Sequence, residues 1–341
     1  MLGRTILCLA LAATASSVSG FSIPNFGQLA VDKGLTLAGL NSIALLNSIA
    51  NTKGTCNPGT IKFRQEWRTL SASQRKNFIA AVNCLTTKPS ILPNGTAPGS
   101  FSVFDDFTYV HMQQTNLVHM SGDFLTWHRY FIHVYEQELQ KCGYTGNLPY
   151  WEWGYDVDSP RDSPVFDGSD TSLGSDGAAI PHEGLVLTFP TGLSASFPPG
   201  TGGGCVNQGP FSNLALHLGP VVLPEYGTPN FTMNAHPELD NPRCLKRDLN
   251  PWIAKQWTSF RNTTELILQS ATRVIDRVYW IWQMLDSQNR QNLYGTNTFL
   301  DFPPSANTTV EDLLDVSPIA PSVKIKDVMN TVGGPLCYVY I

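Results

Sequence analysis

Charged side chains are scarce in this chain of 341 residues, where they make up 14% of the total. An average globular protein has about 25%. No stripe of Lys or Arg occurs, and 22 basic against 27 acidic side chains leave a formal net charge of -5. Proteins that bind nucleic acid need clustered cations to contact the phosphates. We therefore expect no nucleic-acid partner.

Long apolar runs are also missing. A membrane-spanning helix needs about 20 consecutive apolar residues, and no such run is present. At the amino terminus, Arg4 precedes a short apolar stretch at 6–15 and small residues at 18–20, which is typical of a secretory signal peptide. We expect a secreted protein without a membrane partner, in which residues 1–20 are the signal peptide, 21–55 a leader segment and 56–341 a single domain.

Cys-x-x-Cys pairs, a common spacing of zinc-binding cysteines, do not occur. Cys8 belongs to the predicted signal peptide, and the other six cysteines fit a disulfide framework: Cys56, Cys84, Cys142, Cys205, Cys244 and Cys337. Six cysteines allow fifteen pairings, so their number leaves the connectivity open. Four Asn-x-Ser/Thr sequons are glycosylation candidates: Asn94, Asn230, Asn262 and Asn307.

Helical periodicity is clear in four parts of the chain. Ser71 and Gln74 have the spacing of a capping box, and the apolar residues that follow repeat with the helical period. We predict helices near 73–87, 103–119, 128–141 and 263–286. Residues 154–250 are rich in Gly, Pro, Ser, Asp and Thr, which favours long irregular loops. The predicted fold is mainly α, with a helical bundle core, long outer loops and disulfide staples. Bundle cores commonly house metal sites.

Histidine is unevenly distributed. Three of the seven histidines, His111, His119 and His128, fall within 18 residues. Their imidazoles would converge if the first two lay on a helix end and the following loop while the third began a new helix. A site of three nitrogens suits copper or zinc. The alternative is two surface histidines and one buried, hydrogen-bonded histidine, and the spacing alone does not decide between the two.

The sequence FLTWHRY at 124–130, followed by Tyr135 and Glu136, resembles the tyrosinase and catechol oxidase family of type-3 copper proteins. The chain is most similar to short secreted fungal members, whose core is a helical bundle. Members bind two coppers, each through three histidines, and use O2 to oxidise phenols or catechols to o-quinones. The likeness extends to PYWEW at 149–153, SPVFDGS at 163–169, NPRC at 241–244, DRVYWIWQ at 276–283 and GGPLCY at 333–338.

The resemblance implies roles for individual residues. It makes His111, His119 and His128 the ligands of the first copper, CuA. Many relatives carry a cysteine, cross-linked to the second of these histidines, where this chain has Leu117, so we expect no thioether. It also suggests three disulfides: Cys56 with Cys337, Cys84 with Cys142, and Cys205 with Cys244.

Asp276 is a candidate hydrogen-bond partner of a metal-binding histidine. Ligand histidines usually donate their second ring N–H to a carboxylate or a carbonyl group. The Asp276 carboxylate could accept such a hydrogen bond, and a salt bridge with Arg129 or Arg277 is an equal alternative.

The ligands of the second copper, CuB, are missing from the sequence. No His-x-x-x-His pair occurs, and Ala271 and Thr272 stand where relatives carry two histidines before the Asp276–Arg277 pair. Only fourteen residues separate Arg261 from Asp276, too few for the CuB block. A missing coding segment, a splice product or a degenerate paralogue would each explain this. For the other histidines we prefer structural roles over copper binding: His133, His182, His217 and His236.

Two functions follow. The first is a tyrosinase-like copper oxidoreductase that takes a small phenolic substrate and O2, with a role in tailoring a phenolic metabolite. The second is an inactive or one-copper relative that keeps the scaffold. The family implies two coppers, and the sequence supports at most one.

Overall fold

The computed structural model describes residues 35–188, 194–220, 222–224, 231–257 and 265–341. The predicted signal peptide, Cys8 and the sequons at Asn230 and Asn262 lie outside the described residues, as does the leader segment up to residue 34. The described helices are α1 Leu35–Ala50, α2 Ala72–Thr87, α3 Val103–Val118, α4 Phe124–Lys141, α5 Pro251–Trp257, α6 Glu265–Met284 and α7 Ile325–Val328.

The helices form the core that the sequence predicted. Both α1 and α4 pack against α6, and α2 packs against α3 and α4. The capping box of α2 is formed, because Ser71 Oγ accepts from the Gln74 N–H while Gln74 Oε1 accepts from the Ser71 N–H. Ser102 and Asp105 form a second capping box at the start of α3.

Two helix predictions differ from the structure in position. Helix α4 begins at Phe124, four residues before the predicted start at 128, because the chain turns directly out of the short 119–123 loop into the helix. Helix α6 is described from Glu265 and ends at Met284, two residues before the predicted end at 286. Part of the leader segment is helix α1, whose Leu40 and Ala44 are buried in the core.

The strands are short and pair two by two. They are β1 Lys62–Arg64, β2 Gly177–Ala179, β3 Leu185–Thr188, β4 Ser194–Phe197, β5 Gly203–Val206, β6 Ala215–Leu216, β7 Val222–Pro224, β8 Phe231–Met233, β9 Arg243–Cys244, β10 Leu313–Leu314, β11 Val323–Lys324 and β12 Tyr338–Tyr340. The pair β1–β12 is parallel, with Phe63 opposite Val339. The pairs β2–β5, β3–β4, β6–β9 and β7–β8 are antiparallel. All four lie within residues 154–250, so the region that we predicted as long irregular loops contains short strand pairs.

Three disulfides connect the chain, and their pairs are those that the resemblance suggested. Cys56 is bonded to Cys337, Cys84 to Cys142 and Cys205 to Cys244. The Cys56–Cys337 bond joins residues 281 positions apart and lies beside the β1–β12 pair. A bond between distant residues restricts the unfolded chain most, in the chain-entropy account of disulfide stabilisation.

A buried network of charges holds helices α4 and α6 together. The Asp276 carboxylate of α6 accepts hydrogen bonds from Arg129 Nε of α4 at 2.6 Å and from Tyr338 Oη at 2.7 Å. Arg64 Nη1 lies 3.4 Å from the same carboxylate, and Arg64 Nη2 donates to Glu136 Oε2 at 2.6 Å. These charged side chains are almost fully shielded from water, and the network spans β1, α4, α6 and β12.

None of the helices in the described residues combines the length and the apolar composition that crossing a membrane requires.

Candidate metal centre

Three histidines meet where α3 ends and α4 begins. His111 lies in the second half of α3, and His128 lies in the second turn of α4. His119 is the residue directly after α3, and its backbone is extended, with φ -107° and ψ 141°. The short loop at 119–123 turns the chain back, so that α4 returns alongside α3.

The three imidazole rings are close enough to share one ion. The ring centroids are 5.2 Å apart for His111 and His119, 5.6 Å for His111 and His128, and 5.0 Å for His119 and His128. One ring nitrogen of each lies within 4.8 Å of the others. His119 and His128 are buried, and His111 is half-buried.

Backbone carbonyls orient two of the rings. His119 Nδ1 lies 2.7 Å from the Thr115 carbonyl oxygen, and His128 Nδ1 lies 2.7 Å from that of Phe124. Because a carbonyl oxygen only accepts, Nδ1 carries the proton in each ring and Nε2 keeps its lone pair. A second-shell hydrogen bond of this kind is the usual support for a metal-bound histidine.

Two nitrogens of the site have no hydrogen-bond partner. His111 Nε2 and His128 Nε2 are buried and unpaired, which is costly for a polar atom unless a ligand uses it. Burial, helped by the neighbouring His119, lowers the pKa of His111 to about 3, and burial likewise lowers the pKa of His128. Neutral imidazoles with available lone pairs fit a transition-metal ion such as copper or zinc.

Aromatic side chains surround the site. The Trp127 ring stacks on Phe131 and lies 6.0 Å from His111, and Phe124 lies 4.7 Å from His128, measured between ring centroids. Trp127 is fixed by a hydrogen bond from Nε1 to the Asp315 carbonyl oxygen at 2.8 Å. An apolar shell limits the access of water and lowers the local dielectric constant around a metal.

The other four histidines each contact a partner outside this group. His133 Nε2 lies 3.1 Å from the Gln137 amide, His182 Nε2 lies 2.9 Å from Asp248, and the remaining two pair with acidic side chains: His217 with Asp240 and His236 with Glu238. Within the ranges that the structure describes, His111, His119 and His128 are the only group of three side chains that could hold a metal ion.

His182 gives a testable pH dependence. Its two ring nitrogens lie 2.8 Å from the Ile180 carbonyl oxygen and 2.9 Å from Asp248 Oδ2, so the ring satisfies both acceptors only when it is protonated. These two hydrogen bonds raise the pKa of His182 above its ordinary value. The contact is therefore formed at low pH and lost as pH rises through the raised pKa. We expect NMR titration of the His182 ring to find a pKa above the ordinary value of a histidine. The protection factors of the Gly200 and Gly202 amides, which donate to Asp248, should fall as pH rises through that pKa in the wild-type protein but not in His182→Gln. An unraised pKa would contradict this.

Asp276 makes its hydrogen bonds away from the histidines. Its described partners are Arg129, Arg64, Tyr338 and Tyr340. Of the two alternatives that the sequence left open, a hydrogen bond to a ligand histidine or a salt bridge, the structure shows the salt bridge, and its partner is Arg129. Arg277 pairs instead with Glu152 and Asn41. Leu117, which stands where many relatives carry the cross-linked cysteine, is 54% exposed on α3.

Sequence reasoning missed the carbonyls of Thr115 and Phe124 as supports of the rings. Each lies four residues before its histidine, which is a spacing that brings a side chain back onto the preceding helical turn. For His119 this spacing was visible in the sequence, because the predicted helix 103–119 includes Thr115. For His128 it was not, because the predicted helix began at 128, whereas α4 begins at Phe124 and places His128 in its second turn.

A helical bundle with three convergent histidines is typical of a histidine-ligated metal centre. The model described as "Common central domain of tyrosinase" matches residues 101–274. Tyrosinase P of Aspergillus terreus is 31% identical over 330 residues, which cover 81% of this chain and 91% of that protein. The chain therefore belongs to the tyrosinase family, for which copper is the expected metal.

Further relatives agree with this assignment. Tyrosinase-like protein orsC of Emericella nidulans is 38% identical over 234 residues, or 66% of this chain and 62% of that protein. N-acetyl-6-hydroxytryptophan oxidase ivoB of the same species is 28% identical over 84% of this chain and 93% of that protein. A solved variant of polyphenol oxidase from Thermothelomyces thermophila superposes with a TM-score of 0.75 at 31% identity, and covers 94% of this chain and 99% of that one.

Proposed function

We propose that the protein is a secreted copper oxidoreductase that oxidises a small phenol or catechol to an o-quinone with O2, and that His111, His119 and His128 hold copper. The observation that carries the proposal is the pair of buried, unpaired Nε2 atoms of His111 and His128 in the group of three rings. The name of the ivoB relative, which specifies a hydroxylated aromatic compound, supports a phenolic substrate.

The residues of the chain would prepare the site for this chemistry. Copper, when bound, supplies one-electron redox chemistry. The Thr115 and Phe124 carbonyls hold the Nδ1 protons of His119 and His128, so that the Nε2 lone pairs stay directed at one point. Trp127 and Phe131 exclude water from one side of the rings. These roles need no movement of α3 or α4.

Secretion and glycosylation belong to the same proposal. Three disulfides suit an oxidising compartment. Among the described sequons, Asn94 lies exposed in a turn and Asn307 is also exposed, so both side chains are accessible to a glycosyltransferase. We propose that the signal peptide at 1–20 directs the chain to the secretory pathway.

The second candidate function is a one-copper relative without oxidase activity. It is supported by the histidine inventory, because four histidines remain outside the group and each contacts another side chain. Reduction of O2 to peroxide takes two electrons, and a single Cu(I) gives one. A chain with only the CuA ligands would bind copper and leave catechol unchanged.

One experiment separates the candidates. The purified full chain is loaded with copper, dialysed and analysed for copper per chain, and its O2 uptake with catechol is then recorded. The oxidoreductase should hold two coppers and consume catechol and O2. One copper without catechol consumption would refute that function and support the second candidate, and absence of bound copper would refute both. Sequencing the messenger across Arg261 to Asp276 shows whether the cell makes a longer form that includes His-x-x-x-His.

A further inference from the structure

Residues other than glycine that adopt left-handed backbone lie next to the candidate metal centre or contact its neighbours. In the described part of the chain, three residues other than glycine have positive φ: Met120 at 55°, Leu300 at 51° and Asp301 at 59°. Met120 directly follows His119, and the Leu300 N–H donates to the Met120 carbonyl oxygen at 3.2 Å. Such conformations persist only where surrounding contacts enforce them. Two segments that are distant in sequence therefore constrain each other at this point.

Gly122 forms the second contact between the same two segments. Its N–H donates to the Thr296 carbonyl oxygen at 2.9 Å. A Cβ on Gly122 would lie 2.4 Å from Thr308 Oγ1, 2.7 Å from Thr308 Cβ and 3.0 Å from the Gly295 carbonyl oxygen. No side chain fits at this position unless Thr308 moves.

Thr308 is itself held in place. It is 6% exposed, its Oγ1 donates to Asn297 Oδ1 at 2.7 Å, and its N–H donates to the Gly295 carbonyl oxygen at 2.9 Å. Residues 295–308 thus form a unit, which we call the clamp segment, that closes on the loop at 119–123.

We propose that the clamp segment positions His119 for metal binding and that Gly122 and Thr308 are the positioning residues. The inference rests on the proposed metal site. His111 and His128 are fixed by helices α3 and α4, whereas His119 lies just beyond the end of α3 with extended backbone. The hydrogen bonds of its neighbours Met120 and Gly122 to the clamp segment set where its ring lies relative to the other two.

The test is a steric insertion with a compensating deletion. Gly122→Ala should displace the 119–123 loop and weaken Cu(II) affinity by about 10- to 100-fold, the range typical for loss of an outer-shell partner. Adding Thr308→Gly removes both side-chain atoms that the new methyl group would meet, and should restore most of the affinity. Gly146→Ala is the matched control. The new Cβ would lie 2.7 Å from Tyr144 Oη, which is also a steric clash. Gly146 follows the carboxyl-terminal end of α4, whereas His128 lies near the amino-terminal end, so this variant should leave Cu(II) affinity unchanged.

A measurement without metal separates this inference from the proposed function. Histidine-labelled, metal-free protein gives ring 15N–1H spectra in which the His119 signal should shift in Gly122→Ala and return in the double variant, while the His182 signal stays in place. If the wild-type protein binds no copper, the proposed function is refuted. The ring spectra of the metal-free protein still show whether the clamp segment positions His119. Unchanged Cu(II) affinity and an unchanged His119 signal in Gly122→Ala would overturn it.

A gentler variant covers the case in which Gly122→Ala does not fold. Thr308→Ala removes the hydroxyl group that Asn297 accepts from and introduces no clash. The clamp segment should then hold the loop less firmly, with a broadened His119 signal and Cu(II) affinity reduced several-fold. A sharp His119 signal at its wild-type position in this variant would refute the positioning role of Thr308.

Discussion

His128→Ala is expected to abolish stable copper binding, with an affinity loss greater than the roughly 100-fold that loss of an outer-shell partner can cause. The substitution removes one of three ring nitrogens that lie within 4.8 Å of one another, and leaves only two imidazoles to bind the metal. Equilibrium dialysis with Cu(II) measures the loss. The EPR spectrum of any residual copper reports whether nitrogen ligation has changed.

The chain offers a matched control on the same helix. His133 follows His128 by five residues and contacts Gln137, outside the group of three. Five residues correspond to about 500° of helical rotation, so the two side chains leave α4 in different directions. His133→Ala should bind copper as the wild-type protein does. Full copper binding by His128→Ala, or its loss in His133→Ala, would show that the metal lies elsewhere.

Asp276→Asn is expected to lower the free energy of unfolding by about 3–5 kcal/mol, because it removes one partner from a buried ion pair and leaves the other charge uncompensated. The carboxylate accepts hydrogen bonds from Arg129, Tyr338 and Tyr340, and it faces Arg64. The asparagine keeps the shape of the side chain, so the loss reports on charge. Urea unfolding followed by tryptophan fluorescence measures it.

An exposed ion pair provides the comparison. Asp170 contacts Lys76 at 2.6 Å, with 75% and 55% of their side chains exposed. Exposed pairs contribute about 0–1 kcal/mol, so Asp170→Asn should change the free energy of unfolding by less than about 1 kcal/mol. Equal effects of the two substitutions would contradict the importance that we assign to the buried network.

The same network predicts the direction of acid sensitivity. Burial alone raises the pKa of Asp276, but Arg129 and Arg64 outweigh burial and hold that pKa below its ordinary value. Glu136 behaves in the same way beside Arg64. A carboxyl group whose pKa is lowered by folding stabilises the fold at pH values above its pKa in the unfolded chain. This stabilisation is lost as pH falls through its lowered pKa in the folded protein. Asp276→Asn should therefore reduce the loss of stability in acid, which urea unfolding at a series of pH values tests.

The helices were accessible to sequence reasoning because local rules govern them. The capping box of Ser71 and Gln74 and the apolar period after it fix α2 from residues three or four positions apart. The start of α4 was misplaced because no side-chain cap marks it: Asp123 precedes the helix and makes no capping hydrogen bond. The resemblance to known relatives suggested the disulfide pairs, which six cysteines alone left among fifteen alternatives.

The sequence by itself determined the helical class, the local clustering of His111, His119 and His128, and the lack of a His-x-x-x-His pair, since each depends on residue type and short spacing. Only the tertiary structure decided where Asp276 makes its hydrogen bonds and what holds His119. The network around Asp276 joins β1, α4, α6 and β12, and the clamp segment meets the 119–123 loop from more than 170 positions along the chain. Contacts of this kind depend on how elements pack in space, which neither periodicity nor spacing specifies.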